Sequence, residues 1–384
     1  MAKAISFFAG AGGLDTGIKS AGFDIRLTVE IEGTYCETLR LNHPEANIVK
    51  GDIMNYDKEK LYRDARLQPD EEIDLIFGGS PCQSFSTAGK RKAFSDPRGK
   101  AMLKFAELVT NTQPKIFLLE NVKGLLSAAL RHRPTEQRGE GFQPLEPDEM
   151  PGSAIDYLLK QFKGYDVKYE VINAADFGVP QTRERVFLIG IRTDLDIEHE
   201  FPTATHSQEG GKGKKKWVTF GQLLQTLIVD KHHYVGYSED RLEYMKMIPR
   251  GGGNWRDLPE NIIKSAMGGA YNSGGGKVGF FRRISLDKPA PTMLTSPIQK
   301  STNLGHPLED RPLSIEEYLL IQEFPLDYRI SGSLTQQYVQ IGNAVPVGLA
   351  FQFGKVIMNL LKKIKSEQQL EFIFEDVATT ISIN

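Results

Sequence analysis

The chain reads as an α/β protein: a doubly wound, mostly parallel sheet joined to a second, smaller and irregular domain. Three observations predict this. The first half alternates short β-rich runs with segments of helical spacing, the rhythm that places helices on both faces of a parallel sheet. Glycines gather directly after the first of those runs, at the edge where such sheets hold ligands. Beyond about Thr193 the alternation stops, and glycines, lysines and histidines accumulate up to Gly279 without a clear period. A length of 384 residues suits two or three domains, and 40% hydrophobic with 25% charged residues is enough for a sizeable core.

Taken in order, AISFF is a first strand, and Leu14, Ile18 and Ala21 fall on one face of a helix after it. IRLTV is a second strand, the segment from Tyr35 to Leu41 a helix, and DLIF another strand. A helix from Lys100 to about Asn111, the strand KIFLLE, a helix near Ile155 to Phe162, and the strands VKYEVI and RVFLIGI complete the sheet. The polar run from Arg131 to Gly152 is an inserted loop. VGLAFQFGKVIMNLLKKI reads as a C-terminal helix. The expected division is a first domain over 1–194, a small domain over 195–300, and a return segment over 301–384 whose helix after Asn343 packs back on the first domain.

Several classes are excluded or disfavoured. No apolar run reaches the roughly 18 residues of a membrane span, and AISFFAGAGG lacks a cleavage pattern. A cytoplasmic protein is expected. Cys36 sits in a helix-like segment, so the chain's two cysteines predict no disulfide framework. His206, His232 and His233 come without paired metal-ligand spacing, and no metal is expected. The net charge of −2 argues against a generally basic coat, but between Cys82 and Lys104 six basic residues (Lys90, Arg91, Lys92, Arg98, Lys100, Lys104) face one acid, Asp96. Lys212, Lys214, Lys215 and Lys216 form a second cluster. Either run could meet phosphates or be a solvated surface.

The candidate site residues lie at strand ends. In FFAGAGGLDTG, the segment from Phe8 through Gly10, Ala11, Gly12 and Gly13 allows close backbone approach to a ligand. The dinucleotide fingerprint breaks at Asp15. Glu30, followed by Ile31, ends the second strand about 20 residues on, where a carboxylate accepts from ribose hydroxyls. Asp52, followed by Ile53, is placed to take an adenine amino proton. Each acid alone could be a solvated loop carboxylate; together they favour an adenosine-containing ligand. Cys82 follows Pro81 in a polar loop, an odd place for a cysteine kept only for packing. Glu120 and Asn121 end a buried strand on the same edge, suggesting paired nucleophile and acid/base roles. Arg183 and Arg185, two apart, point to one face and hence to one target.

FFAGAGG, Glu30, GDI, GGSPCQSFS, ENV, QTRER, RRISLDKPAPTM and QIGNAVP, in this order, resemble the successive motifs of the S-adenosylmethionine-dependent DNA (cytosine-5) methyltransferases. The resemblance implies a Rossmann-like class I methyltransferase fold, with the stretch from about Leu195 to Gly279 as target-recognition region. It implies that Cys82 adds to carbon 6 of a flipped cytosine, that Glu120 bonds ring nitrogen 3 and the exocyclic amine, and that positive charge from Arg185 or the cofactor's sulfonium favours the thiolate. Gln83 and Ser86 would then lie near the target nucleotide, Lys90 and Arg91 on a segment that closes on DNA, and Asn343 and Val345 against the cofactor. Arg250, Arg256, Tyr271 and Asn272 become base-edge or phosphate contacts, with Trp255 in the small-domain core. Duplex DNA, a cognate restriction endonuclease of the same site, a prokaryotic or phage source and a monomeric state are implied likewise. A catalytically silent DNA-binding relative, a transfer-RNA cytosine methyltransferase and a nicotinamide dehydrogenase remain the competing readings.

Overall fold

The computed structural model describes residues 1–81, 94, 96–274 and 276–382, with side chains described to 367 apart from Thr135. Cys82, Gln83, Ser86, Lys90, Arg91 and Lys92 lie outside the described residues.

The first part alternates strand and helix: β1 (Ala2–Phe7), α1 (Gly13–Ser20), β2 (Phe23–Glu30), α2 (Gly33–Asn42), β3 (Ile48–Lys50), α3 (Lys58–Asp64), β4 (Leu75–Gly79), α4 (Pro97–Thr112), β5 (Ile116–Val122) and α5 (Ser153–Leu159). β6 (Tyr165–Asn173), the short β7 (Gln181–Thr182) and β8 (Glu184–Arg192) follow. The main sheet runs β3-β2-β1-β4-β5-β8-β6. Its first five strands pair in parallel, and β8 inserts antiparallel between β5 and β6. β1 and β4 are neighbours although the chain passes through β2 and β3 between them, so the order reverses there. Ligands of open α/β sheets bind outside the strand ends at such a switch point.

Burial follows the parallel-sheet rule that central strands are apolar on both faces. Ile76, Phe117 and Leu119 enter one core with Met102, Phe105 and Leu158. Leu75, Phe77, Leu118 and Ile189 enter the other with Leu14, Ile18 and Phe353. Helix ends are capped by their own sequence: Asp96 accepts from the backbone N–H of Arg98, with Pro97 in the first turn of α4.

The second part holds little regular structure. The paired β9 (His206–Ser207) and β10 (Lys215–Lys216) precede α6 (Phe220–Leu224), α7 (Glu239–Met247) and α8 (Glu260–Met267). A separate apolar cluster of Met245, Ile248, Leu258, Met267 and Phe281 holds α7 and α8 together. Then β11 (Ala290–Pro291) pairs with β7, and α9 (Ile315–Ile321), α10 (Leu334–Asn343) and α11 (Val347–Ser382) return to the sheet. α11 packs on α1 so closely that a Cβ at Gly354 would meet Ala21 Cβ at 2.6 Å.

The segment Leu334–Glu367 corrects the reading of apolar runs, because by length and composition it could cross a membrane. Its Leu349, Phe353, Ile357, Leu360 and Leu361 are buried against α1 and the sheet. Polar interruptions hid the run from a count of uninterrupted apolar residues.

Candidate active site

The loop between β1 and α1 turns sharply, with left-handed φ at Phe8 (59°), Gly10 (57°) and Gly12 (84°). Glycine suits two of these positions; Phe8 tolerates a costlier one. At Gly12 a side chain is doubly excluded, since a Cβ would lie 2.7 Å from Leu39 Cδ2 and 2.8 Å from the Tyr328 hydroxyl. Tyr328 donates from that hydroxyl to Ala11 O at 2.6 Å, tying the loop to the return segment. A Cβ at Gly13 would collide with the carbonyl oxygen of Val345. The glycines therefore serve packing against the C-terminal segment as well as ligand approach.

Glu30, 5% exposed, uses both carboxylate oxygens. Oε2 accepts from the Gly10 N–H at 2.8 Å and Oε1 from the Glu32 N–H at 2.9 Å. Burial pushes its pKa up, and the backbone donors push it back. The acid thus clamps the glycine loop and still presents lone pairs to a hydroxyl donor. Asp52 accepts from Met54 N at 2.9 Å, which orients it over the same opening.

A cavity of about 510 Å³ runs along this edge. Phe8, Gly10, Gly13, Glu30, Ile31, Asp52, Ile53, Pro81, Glu120, Arg183, Arg185, Asn343 and Val345 all line it. Sequence-predicted residues from seven separate segments therefore meet in one place. Ala11 and Gly12 are not among the lining residues and act through the loop's shape. Ile31 is 55% exposed although large and apolar, so with Phe8 and Val345 it offers a surface for a planar ring.

Sheet register builds the other end. Glu120 pairs with Gly79 on β4, and a Cβ there would meet its Oε2 at 3.1 Å, so the glycine makes room for the carboxyl group. Val122 pairs with Arg185 and Glu120 with Phe187, which puts Arg185 and Glu120 on one face as diagonal neighbours. Arg185 Nε lies 3.1 Å from Glu120 Oε1. Burial pushes the Glu120 carboxyl pKa up; the charges of Arg185 and, less, Arg183 oppose this. Asn121, fully buried, donates to Ser80 Oγ at 2.8 Å and Ser80 O at 3.2 Å. That contact fixes the chain just before Pro81 and Cys82.

The expectation of one target for both arginines is corrected. Arg183 donates to the carbonyls of Met293 (3.2 Å), Gly342 (3.1 Å) and Asn343 (3.4 Å), while Arg185 meets Glu120. Side chains two apart share a face, but the return segment covers one of them. Sequence reasoning also missed Tyr35, Arg98 and Gln340 as cavity residues. Only Arg98 gave a signal, as the cation just inside a capped helix start.

Away from the cavity, Arg256 is exposed and stacks over Trp255 at 5.0 Å, and Trp255 packs against the small apolar cluster. Tyr271 lies between Lys264 and Lys277, whose Nζ atoms are 5.8 and 6.0 Å from its ring centre. Arg250 pairs with Asp310 at 2.8 Å. Asn272 and Lys212, Lys214, Lys215 and Lys216 are exposed. His232 bonds Ser314 Oγ and His233 bonds Glu316, while His206 bonds Thr205. Among the described residues no three metal-ligating side chains are grouped.

Known proteins resemble this chain along most of its length. It is 40% identical to the type II methyltransferase M.Sau96I of Staphylococcus aureus, over 93% of this chain and 75% of that protein. It is 37% identical to M.Eco47II of Escherichia coli, over 94% and 79%. The solved Entamoeba histolytica methyltransferase EhMeth shares the fold, with a TM-score of 0.59 at 15% identity over 94% of this chain and 99% of that one. The C-5 cytosine-specific DNA methylase family model matches residues 2–359, and the chain belongs to that family.

Proposed function

We propose that this DNA (cytosine-5) methyltransferase moves a methyl group from S-adenosylmethionine to carbon 5 of one cytosine in a specific duplex sequence, within a type II restriction-modification system. The observation that carries it is the shared cavity: the clamped glycine loop and Glu30 at one end, Glu120 with Arg185 3.1 Å away at the other, and Pro81, the residue before Cys82 in the sequence, in its lining.

The cavity fits the cofactor in kind. Ile31, Phe8 and Val345 would hold the adenine, Asp52 its amino group and Glu30 the ribose hydroxyls. When bound there, the cofactor supplies an electrophilic methyl group on a sulfonium. The chain's own groups prepare the acceptor. A cytosine inside a duplex cannot reach them, so the base is flipped out. The Cys82 thiolate adds to carbon 6, forming a carbon–sulfur bond and moving an electron pair toward carbon 5 and nitrogen 3. Glu120, whose burial favours the protonated form, donates to nitrogen 3 and accepts from the exocyclic amine. Once carbon 5 carries the methyl group, loss of its proton returns the pair to the ring and expels the Cys82 sulfur.

The region from 195 to 300 then serves target recognition, with Arg256, Tyr271 and the flanking Lys264 and Lys277 facing DNA. Arg183 is placed as an organiser of the cofactor wall rather than a group that touches the base. Methylation guards host DNA against a cognate endonuclease.

Labelled methyl groups from S-adenosylmethionine should enter duplex DNA and not RNA, at one sequence read by bisulfite sequencing. With duplex containing 5-fluorocytosine at the target, no carbon 5 proton can leave. A denaturation-resistant adduct should form, map to Cys82 by peptide mass spectrometry, and vanish in Cys82→Ser. Methyl incorporation into RNA alone, or an adduct at Cys36, overturns the reading.

A further inference from the structure

Two buried amides outside the reacting centre join the halves of the site. Gln181 and Gln322 are both 0% exposed. Met293 N donates to Gln181 Oε1 at 2.8 Å, and Gln181 Nε2 donates to Gln322 Oε1 at 2.9 Å. Gln322 Nε2 in turn donates to the carbonyls of Ile341 at 2.7 Å and Ala344 at 3.1 Å. Its own carbonyl accepts from Val347 N at 3.0 Å, at the start of α11.

This chain has two ends of different character. Met293 follows β11 and Thr292 on the stem that carries the small domain, and β11 pairs with β7 beside Arg183. Residues 341–345 form the wall of the cofactor cavity, to which Asn343, Ala344 and Val345 contribute. Arg183 runs in parallel, bonding the Met293 carbonyl as well as Gly342 and Asn343. Both backbone polar groups of Met293 are therefore connected, through one side chain or two, to the cofactor wall. The two backbones also touch directly, since a Cβ at Gly342 would collide with Leu294 O.

Buried networks of this kind do not stretch gradually. Every member is bonded, and a shift that breaks one bond leaves a buried polar group unsatisfied. Packed interiors respond as units for the same reason. We infer that Gln181 and Gln322 are positioning residues that link DNA engagement by the small domain to cofactor binding, so that each ligand tightens the other. The inference rests on the functional reading above, and by linkage the effect must be reciprocal. A purely structural pair of amides would lower stability alone.

The coupling is read from the dissociation constant of S-adenosylhomocysteine, measured by calorimetry with and without saturating duplex that carries the mapped target. Wild-type protein should bind it roughly 5- to 150-fold more tightly with DNA. In Gln322→Met, similar in length but without the amide, that factor should fall at least about fivefold. The constant for DNA should lose the same factor, and the cofactor KM should rise more than kcat falls. Gln181→Met tests the other end and decides if Gln322→Met gives no cooperative melt. A factor unchanged from wild type in the folded variant, with only the melting temperature lowered, overturns the inference. Wild-type protein that binds S-adenosylhomocysteine or DNA not at all overturns the functional reading as well.

Discussion

At the scale of single residues, Glu120 shows how surroundings assign a task to an ordinary carboxyl group. It is 7% exposed, its pKa is raised by burial, and Arg185 pulls against that rise. A proton held by burial is lost as pH climbs through the raised pKa, so kcat/KM should decline on the alkaline side. Glu120→Gln keeps a donor and an acceptor for cytosine but cannot pass a proton. DNA affinity should change little while kcat drops about 10²- to 10⁴-fold and the alkaline decline disappears; a normal kcat would remove Glu120 from the mechanism. Asp15 carries a different burden. It is 4% exposed, accepts from the Thr28 hydroxyl at 3.2 Å, and has its pKa raised from 3.8 to about 7. The folded protein thus holds a proton that the unfolded chain gives up above about pH 4. Stability should decrease as pH rises from 4 to 7, by at most roughly 4 kcal/mol at about 1.4 kcal/mol per pKa unit. Asp15→Asn should flatten that slope in urea melts at a series of pH values; an unchanged slope would place the titration elsewhere. Glu30, Glu120 and Arg185 could be singled out from sequence because charged types at strand ends advertise their chemistry. The pairing of Gln181 with Gln322 could not, because an amide has no visible role until its partners and burial are known.

At the scale of elements, the glycine loop is shaped by contacts from both ends of the chain. Its position after the first strand was legible, since strand, glycines and helix follow within a few residues. Val345 was expected near it by resemblance, but Tyr328 was not: it reaches the loop only because α9 to α11 return to the sheet. Gly12→Ala tests the shape. Its φ of 84° strains any L side chain, and the new methyl group would meet Leu39 and the Tyr328 hydroxyl. A cost of about 1 to 3 kcal/mol is expected from strain and overpacking. Because the loop and not Gly12 itself lines the cavity, S-adenosylhomocysteine affinity should fall together with the melting temperature. Full affinity in calorimetry would mean that the loop can reshape at no cost. The short α3 was overlooked because its polar, mixed run shows no period, and the antiparallel placement of β8 depends on pairing that no local pattern reveals.

At the scale of the molecule, two kinds of packing divide the chain, and they bear on where recognition can be exchanged. The stem residues are shared property: Phe220, Ile284, Ala290 and Met293 sit in one cluster with Ala11, Tyr318 and Tyr338. The parallel pair of β9 and β10 leans on the catalytic side, where Trp217 Nε1 donates to Asp176 at 2.8 Å. By contrast Met245, Ile248, Leu258, Met267 and Phe281 form a cluster of their own, with Tyr244, Trp255 and Tyr271 packed around it. Arg283, 2% exposed, seats that cluster on the stem by donating to the carbonyls of Met245 (2.7 Å), Ile248 (3.1 Å) and His306 (3.0 Å). Main-chain acceptors do not depend on which side chains occupy those positions. Replacing residues 238–281 by the matching segment of a family member with another target, while keeping Arg283 and the 284–293 stem, should therefore preserve the fold. Bisulfite sequencing of a host plasmid should then show methylation at the donor's sequence, with S-adenosylhomocysteine affinity within about a few-fold of the parent, because the cofactor wall is untouched. Replacing all of 195–293 instead cuts through the shared cluster and the Met293 bonds, and should cost stability and cofactor affinity together. If the smaller exchange yields a folded enzyme that still methylates the original sequence, target choice does not reside in the 238–281 cluster, and the stem or the residues after Cys82 must carry it.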